Sequence, residues 1–112
     1  GNGYQRRELV YVEDFISDLI RLDKSEKNEI YNIGAGEEYS IREFAEIIAD
    51  ITGVSVSDIK YDESKYVGAK SKVLDNTKID QKLPNRFKTN LKDGLKKVIL
   101  EFERKFTEDS IK

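Results

Sequence analysis

The sequence predicts an α/β fold, a small mixed or parallel sheet of short strands with about three helices. Three observations carry that expectation. Short runs of strand-forming residues alternate with stretches whose apolar residues recur at helical spacing. Ser40-Ile41-Arg42-Glu43 is a capping box, serine first and glutamate three later, and Gly53 stops the pattern that follows. Leu91, Leu95, Val98, Ile99, Phe102 and Phe106 space out a final amphipathic helix.

In chain order, Gly1-Asn2-Gly3 opens a loop that carries Arg6 and Arg7. Residues 8–12 read as a strand, because Leu9, Val10, Tyr11 and Val12 suit a pleated, half-buried surface. Glu13 and Asp14 supply a cap and early acidic charge for a helix, whose stripe is Phe15, Ile16, Leu19, Ile20 and Leu22. Residues 24–28 form a polar connection. A second strand is expected over 29–33, closed by Gly34-Ala35-Gly36. After the helix that ends at Gly53, a third strand is expected over 57–61. Residues 62–72 are polar and lysine-rich. Residues 76–83 hold a short helix ended by Pro84. Asn90 caps the final helix, and 107–112 reads as a frayed polar tail. Three short strands make an incomplete-looking sheet, since strands connected by helices normally belong to a larger one.

Composition narrows the chemistry. The 112 residues make a single domain spanning 1–112, with charged and hydrophobic residues at 38% each, enough apolar surface to oppose disorder. A net charge of -2 offers no global field toward nucleic acid or membrane, so any anion site must be local. The chain has no cysteine and no histidine. That excludes disulfides, thiolate or imidazole metal sites and Ser-His triads. No apolar run approaches the length of a membrane span.

Several motifs invite a catalytic reading and fail it. Gly34-Ala35-Gly36 lies between a strand and a helix, as a dinucleotide loop does, but Tyr39 stands where the third glycine is needed for close packing. It reads as a tight turn. Glu13-Asp14, Glu37-Glu38 and Asp62-Glu63 lack calcium-loop spacing and read as capping or solubilising pairs. Tyr61 and Lys65 match a Tyr-x-x-x-Lys spacing, but lie in a segment without helical pattern, so their side chains need not share a face. Lys70 and Lys72 are different. In an extended segment residues two apart point the same way, which would let two ammonium groups complement Arg6 or Arg7 across a groove. An exposed charged loop is the competing reading.

The ordered motifs resemble the C-terminal, substrate-binding part of the extended short-chain dehydrogenase/reductase family, the NAD-dependent epimerases, dehydratases and reductases of sugar nucleotides. Gly1-x-Gly3-x-Gln5-x-Arg7 with Tyr11-Val12-Glu13-Asp14, then Tyr31-Asn32-Ile33-Gly34, then Asn90-Leu91-Lys92-Asp93-Gly94-Leu95, follow the family order. Within it, residues 64–75 are most similar to the GDP-L-fucose synthases, with Tyr66 and Val67 in place of that group's Pro-Asp pair. Gln81-Lys82-Leu83-Pro84 likewise departs from the family's Leu-Gly-Trp.

The resemblance implies the C-terminal lobe of a Rossmann-type, cytoplasmic enzyme of carbohydrate biosynthesis. Arg7 and Lys72 are its implied substrate-binding residues, Arg7 toward the nucleotide sugar and Lys72 toward its diphosphate or nucleoside part. Arg6 has no family match and is expected to face solvent. No catalytic, metal or cofactor residue is implied here. NAD(P) and the Tyr-x-x-x-Lys belong to an N-terminal Rossmann lobe upstream of Gly1, so the isolated chain is expected to be inactive. The implied partners are a nucleotide-diphosphate sugar, that lobe and, in the full-length protein, a second copy in a homodimer; nucleic acid and membrane are not. The alternative is a free-standing, non-catalytic binding or protein-interaction module derived from the same lobe.

Overall fold

The computed structural model describes residues 1–24 and 28–111, with side chains through 107. Most of the connection expected over 24–28 lies outside the described residues. The elements are β1 (Arg6–Arg7), α1 (Val12–Asp23), β2 (Tyr39–Ser40), α2 (Ile41–Thr52), a 3-10 turn (Val56–Asp58), β3 (Ser71–Lys72), α3 (Thr77–Lys82) and α4 (Leu91–Ile111). The expected α/β class holds. The sheet is mixed, with β1 central, antiparallel to β2 and parallel to β3.

Helices α2 and α4 form where local chemistry placed them. Ser40 Oγ accepts from Glu43 N at 3.1 Å, and the Glu43 carboxylate accepts from Ser40 N at 2.6 Å. Both halves of the capping box are therefore made, and Gly53 ends α2 in the left-handed region at φ 78°. Asn90 Oδ1 accepts from the backbone of Lys92 at 3.0 Å and Asp93 at 3.4 Å, capping α4. That helix continues to Ile111, through most of the tail expected to fray.

The strands differ from expectation. β1 lies at Arg6–Arg7 rather than over 8–12, and Val12 already begins α1. Residues 29–33 form no strand, and 57–61 gives way to the 3-10 turn. The physical reason is the same each time. A strand exists through its ladder partner, and the apolar residues at these positions meet none among the described residues. Leu9, Val12 and Ile30 stand 50%, 61% and 87% exposed. The pairing falls instead to polar segments that propensity does not favour.

Phe44, Ala49, Ile79 and Leu83 are the buried hydrophobic residues. On α1 the stripe is split: Asp18 is the buried residue, with Phe15 and Leu22 half-buried on its side, while Ile16, Leu19 and Ile20 remain exposed. A groove of about 640 Å³ runs between Leu19, Ile20 and Leu22 on one side and Tyr31 and Ile33 on the other. The radius of gyration is 17.2 Å, against roughly 13 Å for a close-packed domain of this length.

Buried Asp18 is matched by buried Arg86. Arg86 Nη1 donates to Asp18 Oδ2 and to the Gly34 carbonyl, each at 3.0 Å, and its Nη2 donates to Asp80 Oδ1 at 3.0 Å. One guanidinium thus joins α1, the Gly34 turn and α3. Asp14 makes a second tie, accepting from Thr89 N at 2.6 Å and Thr89 Oγ1 at 2.9 Å, which docks the start of α1 against the approach to α4.

Candidate functional site

The three short strands build two rows of side chains across the sheet. Residues in register on adjacent strands share a face, and successive residues alternate. Arg6 is in register with Ser40 on β2 and Ser71 on β3, while Arg7 is in register with Tyr39 and Lys72. Two adjacent arginines therefore belong to opposite faces.

The Arg6 row is neutralised within the chain. Arg6 Nε donates to Glu38 Oε1 at 3.0 Å and its Nη2 to the Glu38 carbonyl at 3.0 Å, with Glu43 Oε2 at 3.6 Å from Nη1. Ser71 Oγ donates to Glu38 Oε2 at 2.7 Å. These bonds from Ser71 and Arg6 hold the Glu38 carboxyl below its ordinary range. Arg6, expected to face solvent, keeps 42% of its side chain exposed, but it is not free: Glu38 and Glu43 converge on it and tie β1 to the segment before β2 and to α2.

The Arg7 row is open. Arg7 Nη1 donates to the Arg6 carbonyl at 2.6 Å and the Ala69 carbonyl at 3.0 Å, which fixes the guanidinium against the 68–72 segment. Among the described residues its Nη2 has no hydrogen bond, and no carboxylate pairs with Arg7. Lys72, on the exposed strand β3, has no ion pair there either. Register thus brings together the two residues implied as substrate-binding, one from each of two strands far apart in sequence. Lys70 is exposed next to them, its carbonyl accepting from Arg6 N at 2.7 Å. At the other end of the row the Tyr39 hydroxyl donates to Glu37 at 2.7 Å, and that bond, with partial burial, raises the phenol's pKa.

The remaining motifs resolve into structural ties. In the Gly34-Ala35-Gly36 turn, the backbone N–H groups of Ala35 and Gly36 donate to Glu8 Oε2 at 3.1 and 3.3 Å. A carboxylate sits where a dinucleotide's pyrophosphate would need those donors, so the turn does not fit NAD(P). Tyr61 lies flat against Arg42, whose guanidinium carbon is 3.9 Å from its ring centre and 4.4 Å from that of Tyr4. It stacks on a cation rather than pairing with Lys65. Asp62 accepts from Ser64 in a local turn; the cap expected of Glu13 and Asp14 is not made, since Tyr11 is the N-cap of α1 without a side-chain bond and Asp14 accepts instead from distant Thr89. Among the described residues no group of three or more carboxylates is placed to hold a metal ion.

Sequence reasoning missed Arg86 and Glu8. For Arg86 a signal existed: Asp18 falls inside the apolar stripe of α1, three residues after Phe15, and a carboxylate at a buried helical position needs a cation. For Glu8 there was none, because its partners are backbone groups.

The fold places the chain among Rossmann-type sugar-nucleotide enzymes. It superposes with a TM-score of 0.81 on UDP-glucose 4-epimerase from Thermotoga maritima, at 28% identity over 95% of this chain and 34% of that one. A dTDP-glucose 4,6-dehydratase from Bacillus anthracis gives 0.82 at 23% identity, covering 93% of this chain and 33% of that one, and shares the fold.

Curated relatives narrow this further. GDP-L-colitose synthase of Yersinia pseudotuberculosis is 37% identical over 86 residues, 72% of this chain and 27% of that protein. GDP-L-fucose synthase of Sinorhizobium fredii is 37% identical over 98 residues, 87% of this chain and 31% of that protein. No protein-family model matches. The chain belongs to the extended short-chain dehydrogenase/reductase family of sugar-nucleotide epimerases, dehydratases and reductases. It spans between a quarter and a third of the length of these curated relatives. Among the described residues no helix is long and apolar enough to cross a membrane.

Proposed function

We propose that this chain is the C-terminal, substrate-recognition lobe of a cytoplasmic NAD(P)-dependent sugar-nucleotide epimerase, dehydratase or reductase of carbohydrate biosynthesis. In this reading it holds a nucleotide-diphosphate sugar through Arg7 and Lys72. The observation that carries it is the register pairing of those two cations on one face, with no carboxylate paired with either among the described residues. A diphosphate is the anion such a pair suits: the guanidinium fork matches two phosphate oxygens, and the ammonium adds a point charge beside it. The names of the relatives agree with this class, since several act on GDP-sugars.

The exposed apolar face of α1 has a role in the same reading. Ile16, Leu19 and Ile20, with the groove beside them, form the seat for the N-terminal Rossmann lobe that carries cofactor and catalytic residues. This lobe contributes no group to bond-making. It anchors the nucleotide, so that binding energy remote from the reacting carbon positions the sugar ring. The whole enzyme is a homodimer assembled through that other lobe.

Titration calorimetry of the full-length protein with GDP tests the site. Arg7→Ala is expected to weaken binding by about 1.5–3 kcal/mol, the worth of a hydrogen bond to a charged group. Unchanged affinity removes Arg7 from the site and the reading with it.

A further inference from the structure

Arg42 occupies the first turn of α2, where the helix dipole disfavours positive charge. Among the described residues no carboxylate pairs with it, whereas Arg6 collects two, Glu38 and Glu43. Nothing within the helix explains a cation at this position. Its partners lie outside. The guanidinium carbon is 3.9 Å from the centre of the Tyr61 ring and 4.4 Å from that of Tyr4, so one half-buried cation serves two rings. Arg42 Nε donates to the Asn2 carbonyl at 2.6 Å, and the Arg42 backbone N–H donates to the Gly3 carbonyl at 2.9 Å. Gly3 is buried at a φ of +80°, with no room for a side chain against Arg42 and Tyr61.

The two rings belong to different leads. Tyr4 lies in the loop that enters β1 and delivers Arg7. Tyr61 ends the segment ahead of residues 62–72, the run that closes in β3 and delivers Lys72. Both strands are short and polar, and register is weakly specified in such pairings. The bond from Arg6 N to the Lys70 carbonyl, at 2.7 Å, is one restraint on it. The Arg42 clamp is a second, placed where the two leads meet.

We infer that Arg42 is a positioning residue for the Arg7–Lys72 pair, its guanidinium joining the lead into β1 to the lead into β3; this rests on the function proposed above. Arg42 meets no substrate in this role. A planar guanidinium offers one face to each ring while its edge holds the Asn2 carbonyl, which a lysine ammonium cannot do. The charge that the helix dipole disfavours is thus used to hold a cation pair in register on the neighbouring strands.

The full-length protein is titrated with GDP. Tyr4 is 65% exposed, so Tyr4→Leu removes a π-face without opening the core. It is expected to weaken binding about two- to fivefold, the range for an exposed cation–π contact. Tyr4→Phe keeps the face and is expected to restore wild-type affinity. Arg42→Ala releases both rings and is expected to weaken binding more; Tyr4→Leu decides the matter should Arg42→Ala fail to fold. In an Arg7→Ala background the same changes are expected to cost markedly less, because residues that act through one another are not additive. Losses that persist undiminished in that background would show a general loosening or a separate contact, and overturn the inference. If Tyr4→Leu and Arg42→Ala leave GDP binding unchanged while Arg7→Ala weakens it, the positioning role falls and the site stands. If none of the three changes it, the site falls as well.

Discussion

Arg86 Nη1 lies 3.0 Å from Asp18 Oδ2, and both side chains are 2% exposed. This pair sits where the core of a small domain would otherwise hold two apolar residues. The Arg86 guanidinium satisfies three partners at once: the Asp18 charge, the Gly34 carbonyl and Asp80 of α3. Removing Arg86 leaves Asp18 charged and dry, whereas removing Asp18 leaves Arg86 its bonds to Asp80 and the Gly34 carbonyl. Arg86→Ala is therefore expected to destabilise the protein by about 3–5 kcal/mol, the range for breaking a buried pair, and Asp18→Ala by less. Urea unfolding of Asp18→Ala, Arg86→Ala and the double variant checks it. Single losses that add in the double variant would mean the two residues act independently, contrary to this account.

Glu38 makes a prediction about acid. Hydrogen bonds from Ser71 and Arg6 hold its carboxyl below the ordinary value of 4.5. A carboxyl whose pKa is lowered by folding binds its proton less readily when folded. Its stabilisation is therefore complete above the ordinary value and is lost as pH falls through the lowered one. The stability difference between wild type and Glu38→Gln should be constant at neutral pH and shrink below about pH 4.5. A difference that grows toward acid would reverse the sign and refute the assignment.

How much was legible in the sequence depended on how local the cause was. α2 was readable from Ser40, Glu43 and Gly53, since cap and stop are set within a turn of the helix ends. The stripe on α1 was readable as a stripe, but its split was not. Asp18, at the same spacing, is the residue that faces inward, because its partner Arg86 lies 68 residues away. The strands were least readable. Arg6–Arg7 and Ser71–Lys72 carry no strand propensity, and they pair because loops bring their backbones together. Arg7 and Lys72 could be nominated separately by resemblance, yet their adjacency is a matter of register, which no single segment encodes.

Gly34 is a test of close approach. A β-carbon there would sit 2.7 and 2.8 Å from the two Glu8 carboxylate oxygens and 2.9 Å from Asn76 Oδ1. Glu8 is not free to retreat, since it accepts from the backbone of Ala35, Gly36 and Leu74. Gly34→Ala is expected to cost about 1–3 kcal/mol by stripping partners from buried backbone groups. Glu8→Ala should remove the two closest contacts along with the bonds, leaving the one to Asn76 Oδ1. Its effect and that of Gly34→Ala should then overlap in the double variant, as urea unfolding can show. Fully additive losses would place the strain elsewhere.

Lys72 separates stability from binding. Without an anion, two cations in register on neighbouring strands repel, and neither gains an ion pair within the described chain. Lys72→Ala should therefore leave unfolding stability within about 0.5 kcal/mol of wild type, as for an ordinary surface substitution. Binding should respond in the opposite sense. If the ammonium meets a diphosphate, the variant binds GDP more weakly, and its affinity falls less steeply with added salt, because one screened attraction has gone. Calorimetry of the full-length protein at low and high salt measures both quantities. An affinity and salt dependence indistinguishable from wild type would show that Lys72 does not meet the diphosphate, leaving Arg7 to act there alone.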